Sequence, residues 1–477
     1  MHKKEKIYKL NNFVKMKSKI FKYFALLAMV AFLATSCDKW IDSELNKDPD
    51  SPQEVYAALT LSSTQLNLAW QYQGFDYSGT TGMWLQYYEG FDRQAYGTFN
   101  YTYSSDDCNN LYGSLYAGIL MDCKQIIDQT SVTGFESPHI RGMAKVMKAL
   151  TLGTAVGLWG SIPYAEAFQG DAKLQPKFDT EESIYAEIQT ILTEAIADLS
   201  VAGNDFEEKY IGVAGQDMIY GGDLDMWIKT AYSLKARYEL RLSRKAGKFD
   251  AARVLGYLAN GLANNLEDFQ FGFTDNAYNE DNPLSQFSYE RYGYAGTSPN
   301  YIAMLEGNGD PRSQAVVIED DGYLGENPVG GYPLGYWNSP SLFISYVECK
   351  FIEAECQLAD GDADAAATAY NDAVTASLAK WGVDDAAWLA ANAAETSATI
   401  TLAKIMNAKY IAMYGQGEAW SDYRRHQMMY PVLTPPANNV TSGVQPQCYP
   451  YPSDEKISNG ANVPVRAGLT NKLWAFE

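Results

Sequence analysis

The sequence predicts a mainly α-helical protein, with helix pairs packed against an irregular, loop-rich half that has little β structure. Three observations carry this. Helical periodicity dominates eight separate segments, 105–128, 137–158, 181–199, 225–245, 250–264, 340–359, 363–379 and 398–414. One stretch, 340–379, reads as two helices joined by a tight turn. Two long regions, 70–104 and 266–340, lack periodicity and are rich in Tyr, Phe, Gly, Asn and Asp.

The chain opens on a targeting signal. Eight lysines (Lys3, Lys4, Lys6, Lys9, Lys15, Lys17, Lys19 and Lys22) precede the apolar run FALLAMVAFLATSC at 24–37. A basic region, a short apolar region and small residues at the exit make a secretory signal. Cysteine directly after Ala34, Thr35 and Ser36 is the pattern of a bacterial lipobox, so Cys37 is expected to be acylated. The apolar core is shorter than the ~20 residues of a membrane-spanning helix. Met16 opens a more usual signal, so the start lies at Met1 or Met16. The expected organisation is a signal peptide over 1–36, a lipidated leader over 37–52, and one helical domain over 53–477.

Composition narrows the partners. The whole chain carries a net charge of −21, and loss of residues 1–36 removes eight lysines and one glutamate, leaving −28. Such a surface is repelled by nucleic acid and by anionic lipid. No segment after the signal approaches 18 uninterrupted apolar residues, so attachment to a membrane is expected through the N-terminal lipid. Five cysteines follow Cys37, an odd number. Cys349 and Cys356 lie two helical turns apart, roughly 10 Å, which is too far to bridge. Cys108 and Cys123 are the one pair worth testing; the rest read as small buried hydrophobes.

The helices justify themselves in order. In 225–245, Trp227, Ala231, Leu234, Tyr238 and Leu242 fall on one face. In 340–359, Phe343, Val347, Phe351, Ala354 and Leu358 do the same. Asp360-Gly361 supplies the turn and Asp362 or Asp364 the next cap. Small residues between the two helices (Ala354, Ala365, Ala366, Ala367) give this pair a tetratricopeptide-like character. Phe269, Phe271 and Phe273 alternate and predict a short strand. The proline-rich segment 430–477 is expected as an irregular tail wrapped on the surface.

The residues offer little for catalysis. His139 and His426 are the only histidines after the signal. There is no H-E-x-x-H, G-x-S-x-G, Walker loop or dinucleotide fingerprint. Asp360, Asp362 and Asp364 have calcium-loop spacing, but Ala365 stands where an EF-hand needs Gly and Asn371 where it needs an acid. Glu166 and Glu418, beside aromatics, are the first suspects for a glycosidase pair. No cofactor is implied.

Aromatic density is the positive signal. Trp70, Tyr72, Phe75, Tyr77, Trp84, Tyr87, Tyr88, Phe91, Tyr96, Phe99, Tyr101 and Tyr103 crowd the first loop region. Tyr278, Phe287, Tyr289, Tyr292, Tyr294, Tyr301, Tyr323, Tyr332, Tyr336 and Trp337 crowd the second. Tyrosine outnumbers phenylalanine 35 to 19, which favours rings with one wet edge. Flat rings pack on the C–H faces of a pyranose while neighbouring polar groups bond its hydroxyls. The candidate ligand site is therefore placed where the two regions meet, with Trp84, Tyr88, Tyr292, Tyr294, Tyr332, Tyr336 and Trp337 as its rings.

Six collinear segments carry a resemblance. They are NKDP at 46–49, LWGSIPYAEA at 158–167, PKFDTEESIY at 176–185, DMIYGGD at 217–223 running on to Trp227, Lys229, Leu234 and Arg241, Tyr346-Val347-Glu348 with Phe351, Ala354 and Glu355, and EAWSDYRR at 418–425. Together they resemble the SusD/RagB family of outer-membrane nutrient-binding lipoproteins, in its shorter SusD-like branch. Tyr232 stands where that branch often has Asn. The resemblance implies about four tetratricopeptide-like helix pairs and no enzymatic activity. It implies a cell-surface lipoprotein that captures an oligosaccharide as the lid of a SusC-like TonB-dependent transporter. A peptide ligand is the alternative that RagB-type members imply, and a glycoside hydrolase is the third reading. The motif residues are expected to be scaffold, and specificity to lie in loops.

Overall fold

Side-chain caps set the long helices. In the computed structural model, which describes residues 55–203, 215–274, 280–316, 337–466 and 468–477 together with Met16, Lys17 and Lys22, most of the long helices start at a residue able to cap. The chain divides between Val55 and Tyr56, and the unit beginning at Tyr56 holds the helix pairs and the strands. Thr180 Oγ1 accepts from Ser183 N, and Asp223 Oδ1 accepts from Asp225 N and Met226 N. Ser345 Oγ accepts from Glu348 N, and Asp362 Oδ1 from Ala365 N. Each bond satisfies an end-group that the helix itself cannot.

Eight of the described helices pack as four pairs: α1 (Ala57–Gln73) with α2 (Met121–Gln129), α3 (Pro138–Trp159) with α4 (Glu181–Leu199), α5 (Leu224–Leu240) with α6 (Ala251–Leu258), and α7 (Tyr346–Asp360) with α8 (Ala363–Lys380). The α7–α8 turn has the expected chemistry. Gly361 takes a left-handed φ of 91°, which closes α7, and Asp362 caps α8. α3 is apolar nearly all round and buried accordingly. At Gly153 a Cβ would overlap the Tyr238 ring, so only glycine lets α5 lie this close to α3.

Buried ion pairs lock the later helices together. Arg237 and Arg241, at the end of α5, reach Glu348 on α7 and Glu418 on α10 (Glu418–Arg425). Arg237 Nε and Nη2 donate to the Glu348 carboxylate at 2.7 and 2.5 Å, and Nη2 also donates to Phe343 O at 2.7 Å. Arg425 grips Glu355 and Asp422, and Asp422 also holds Lys409 of α9 (Leu402–Ala412) at 2.5 Å. Burial opposes the charge on Arg425 and Glu355, but the pairing prevails: Arg425 is raised and Glu355 held well below the carboxylate range.

Among the described residues, the β content is three two-stranded antiparallel ribbons. They are β1 (Tyr88–Gly90) with β5 (Ala295–Thr297), β2 (Ile162–Pro163) with β3 (Phe178–Asp179), and β4 (Phe269–Phe271) with β6 (Ser341–Ile344). Phe269 and Phe271 form β4 as the pattern predicts, and Phe273 lies past its end. Its partner corrects the sequence reading, because Ser341–Ile344 is a strand and the helix begins only at Tyr346, after the Ser345 cap. Four residues of helical phase are also compatible with a strand buried on both faces.

Three further expectations change. The region 105–128 is not one α-helix: a π-helical stretch, Ser114–Leu120, separates Asn109–Gly113 from α2. The two aromatic regions, expected as long structured loops, hold helices at Thr80–Trp84, Arg93–Phe99, Pro283–Glu290 and Pro299–Gly307. Their short length hid the period. The tail does not merely wrap the surface. Tyr449, Leu473, Ala475 and Phe476 are buried in the main core, and Glu181 accepts from Trp474 N and Ala475 N at 2.9 and 3.1 Å. Cys108, Cys123, Cys349, Cys356 and Cys448 are all buried and free, so Cys108 and Cys123 do not pair.

Glu348→Ala leaves Arg237 buried without its partner. Urea unfolding is expected to show a loss of about 3–5 kcal/mol. Lys124→Ala, which removes a surface pair with Asp128, is expected to cost less than about 0.5 kcal/mol in the same assay.

Candidate ligand-binding surface

The two aromatic regions meet through backbone bonds. β1 belongs to the first region and β5 to the second, with Tyr88 opposite Thr297 and Gly90 opposite Ala295. Beyond the ladder, Phe91 N and Asp92 N both donate to Tyr294 O, at 2.7 and 3.3 Å. A Cβ on Gly90 would overlap the Ala95 carbonyl, so glycine is required where the chain folds back. Asp92 caps the helix Arg93–Phe99, and the Arg93 guanidinium lies 5.7 Å from the centre of the Tyr294 ring.

This junction carries exposed rings. Tyr289 is 66% exposed, Tyr292 60%, Tyr96 44% and Phe91 42%. Trp337 is half-buried and meets Tyr289 edge to face, with ring centres 5.2 Å apart. Its carbonyl accepts from Asn282 N at 2.6 Å, which ties Trp337 to the start of the helix Pro283–Glu290. Asn438 Nδ2 donates to Tyr96 Oη at 3.1 Å. Beneath, Phe287 stacks on Phe75 at 4.1 Å and anchors the helix that presents Tyr289.

Two of the expected rings are not at this surface. Trp84 is 1% exposed, and its Nε1 donates to Thr98 O at 3.1 Å. Its ring packs against Tyr103, Trp420 and Tyr449. Tyr88 is fully buried against Tyr414 and above Gly82. A spacing of four residues fits one helical face, but the helix ends at Trp84 and Tyr88 begins β1, where its ring is buried. Tyr294 lies at the junction through its carbonyl and Trp337 packs on Tyr289, while Tyr332, Tyr336 and Cys37 lie outside the described residues.

The sequence reading passed over Tyr289, Phe91 and Tyr96 as site rings. A signal existed for Tyr289. Leu284 and Phe287 mark the inward face of a helix capped by Asn282, and position 289 then turns outward.

The acid suspects do not form a catalytic pair. Glu166 receives Lys173 at 2.9 Å and the backbone N of Lys177 at 3.0 Å. Lys173 above all holds its carboxyl low, the wrong direction for a general acid. Glu418 is buried in its clamp with Arg241. His139 contacts the Val201 carbonyl and His426 the Glu355 carboxylate, both structural settings. Among the described residues no cluster of three or more His, Cys, Asp or Glu is placed to hold a metal, and no helix is long and apolar enough to cross a membrane.

A helix-pair scaffold that presents a set of exposed aromatic rings has the form of a binding protein. Residues 49–452 match the SusD-like family described as starch-binding and associating with the outer membrane, and the chain belongs to that family. Solved structures agree on the fold. A SusD/RagB family protein from Bacteroides thetaiotaomicron VPI-5482 is 24% identical, with 88% of this chain and 99% of that one covered, at a TM-score of 0.68. A chitin-binding SusD homologue from Flavobacterium johnsoniae is 20% identical over 88% and 98%, also at 0.68. A Bacteroidetes SusD-like protein reaches 0.72 at 18% identity over 89% and 100%. No curated protein matches the sequence.

Trp84→Ala is expected to destabilise the fold by about 3–5 kcal/mol, as loss of a core ring does. Tyr289→Ala is expected to stay within about 0.5 kcal/mol of the parent, as a surface change does. Thermal and urea melts of the two variants check this division.

Proposed function

We propose that the protein captures an oligosaccharide at the cell surface and delivers it to a TonB-dependent barrel transporter, which it covers as a lid. The observation that carries this is the ring set at the β1–β5 junction. Tyr289, Tyr292, Phe91 and Tyr96 keep large exposed areas, and Trp337 and Tyr294 back them. Exposed tyrosines beside amides, such as Asn438 on Tyr96, suit a ligand with apolar faces and hydroxyl edges. The family description names starch binding, and one structural neighbour is a chitin-binding homologue.

Tyr289→Ala, Tyr292→Ala and Trp337→Ala are each expected to weaken glycan binding by about 1–3 kcal/mol, as platform residues do, with an unchanged melting temperature. A glycan array followed by calorimetry measures this. Full affinity in all three variants would remove the surface from consideration, and selective binding of peptides on the same rings would make the ligand a peptide.

Attachment rests on the lipobox. Acylation of Cys37 anchors the chain in the outer membrane, with more than one acyl chain needed for firm binding. Cys37→Ala is expected to move the protein from the membrane to the soluble fraction. Retention of the variant at the parent level in cell fractionation would rule the lipid out.

The helix pairs present the broad surface that docking on a barrel needs. Purification from native membranes in mild detergent is expected to bring a TonB-dependent barrel with the protein. Recovery of the protein alone, even after cross-linking, would overturn the lid.

A further inference from the structure

Four helix ends gather at one end of the first two helix pairs. The Ala57 amide at the start of α1 donates to Gln129 Oε1 at the end of α2. Arg141, in the first turn of α3, donates to Asp198 near the end of α4 at 3.0 and 2.6 Å. Through Nη1 it also donates to Thr130 O, just past α2, at 2.8 Å. His139 Nε2 lies 2.8 Å from Val201 O, just past α4.

Exposed apolar side chains collect on this end. Tyr56 is 58% exposed, Val132 53% and Phe135 50%, and Leu59 and Val201 are exposed with them. The turn that carries Val132 and Phe135 closes on itself, with Phe135 N donating to Val132 O at 2.9 Å and Ser137 N to Thr130 O at 3.2 Å. The segments 56–60, 129–135 and 200–203 contain no charged residue, in a chain that holds 58 acids. Asp128, Glu136 and Asp198 flank them and are engaged, by Lys124, by Gly134 N and by Arg141. An apolar face with acidic flanks suits a zwitterionic surface and not an anionic one.

The chain arrives at this end from Cys37. Residues 38–55 are all that separate that cysteine from Tyr56, a reach of at most ~60 Å when fully extended. The helical unit therefore joins its tether at the apolar end. One acyl chain alone gives marginal membrane binding, and a second contact makes it firm. Phenylalanine and leucine enter the boundary between headgroups and acyl chains, and tyrosine settles at headgroup level.

We propose that this end of the molecule is a membrane foot. Tyr56, Leu59, Val132, Phe135 and Val201 rest in the headgroup region of a zwitterionic lipid surface, beside the acylated cysteine. The proposal rests on the lipid-anchor reading of Cys37 and adds to it a contact made by folded residues. None of the rings of the β1–β5 junction takes part.

Photocrosslinking tests the foot. p-Benzoylphenylalanine is placed at Phe135, at Leu59 and, as control, at Leu266. Leu266 is 95% exposed and lies beside α8, where Asn265 Nδ2 donates to Ala376 O. The full acylated chain is reconstituted in vesicles of phosphatidylethanolamine and phosphatidylcholine, and thermal melts confirm that each variant is folded. Lipid adducts at 135 and 59 are expected at least fivefold above those at 266. Equal yields at the three positions overturn the foot. Irradiation of native outer membranes reads the other occupants: adducts of 135 or 59 with a second copy of this chain, or with a barrel protein, in place of lipid also overturn it. If the chain carries no acyl group, its Cys37 thiol is coupled to a maleimide lipid and the same yields are read. Failure of the anchor and failure of the foot are then separate results.

Discussion

The structure depends on a buried array of opposite charges. Arg237, Arg241 and Arg425 meet Glu348, Glu418 and Glu355, and Lys409 meets Asp422, in places where water does not reach. Taking such groups out of water is costly unless geometry is good and every lone pair is used. Each pair holds two helices in register, α5 with α7, α5 with α10, α7 with α10 and α9 with α10, so sliding any one of them would leave a buried charge unpaired. Apolar packing alone, as on α3, would hold the helices together with less say over their alignment.

The same array accounts for what the sequence showed and what it hid. The segments that reveal the family supply most of its members: Arg241 follows DMIYGGD and Trp227, Glu348 and Glu355 come from the 346–355 segment, and Glu418, Asp422 and Arg425 come from EAWSDYRR. Asp217 in the same set accepts from Gln65 Nε2, Gly222 N and Trp227 Nε1. The 158–167 and 176–185 segments clasp each other, with Tyr164 N and Ala165 N donating to Asp179. Long helices with caps were equally legible, because period and cap chemistry are local.

The candidate site was harder to read for a physical reason. A tyrosine in a short, glycine-flanked element has the same sequence signature whether it faces solvent or the core. Trp84 and Tyr292 differ only in what the distant chain lays over them: Tyr449 and Trp420 cover the first. Contacts between residues more than 300 positions apart leave no periodic trace.

Main-chain bonds frame the β1–β5 junction, through the ladder and through Phe91 N and Asp92 N to Tyr294 O. Such bonds do not depend on which side chain each residue carries. The outward positions 91, 96, 289 and 292 can therefore be exchanged while the frame beneath them holds. Such a panel can be randomised as antibody loops are, so that one scaffold is offered to new ligands without being rebuilt.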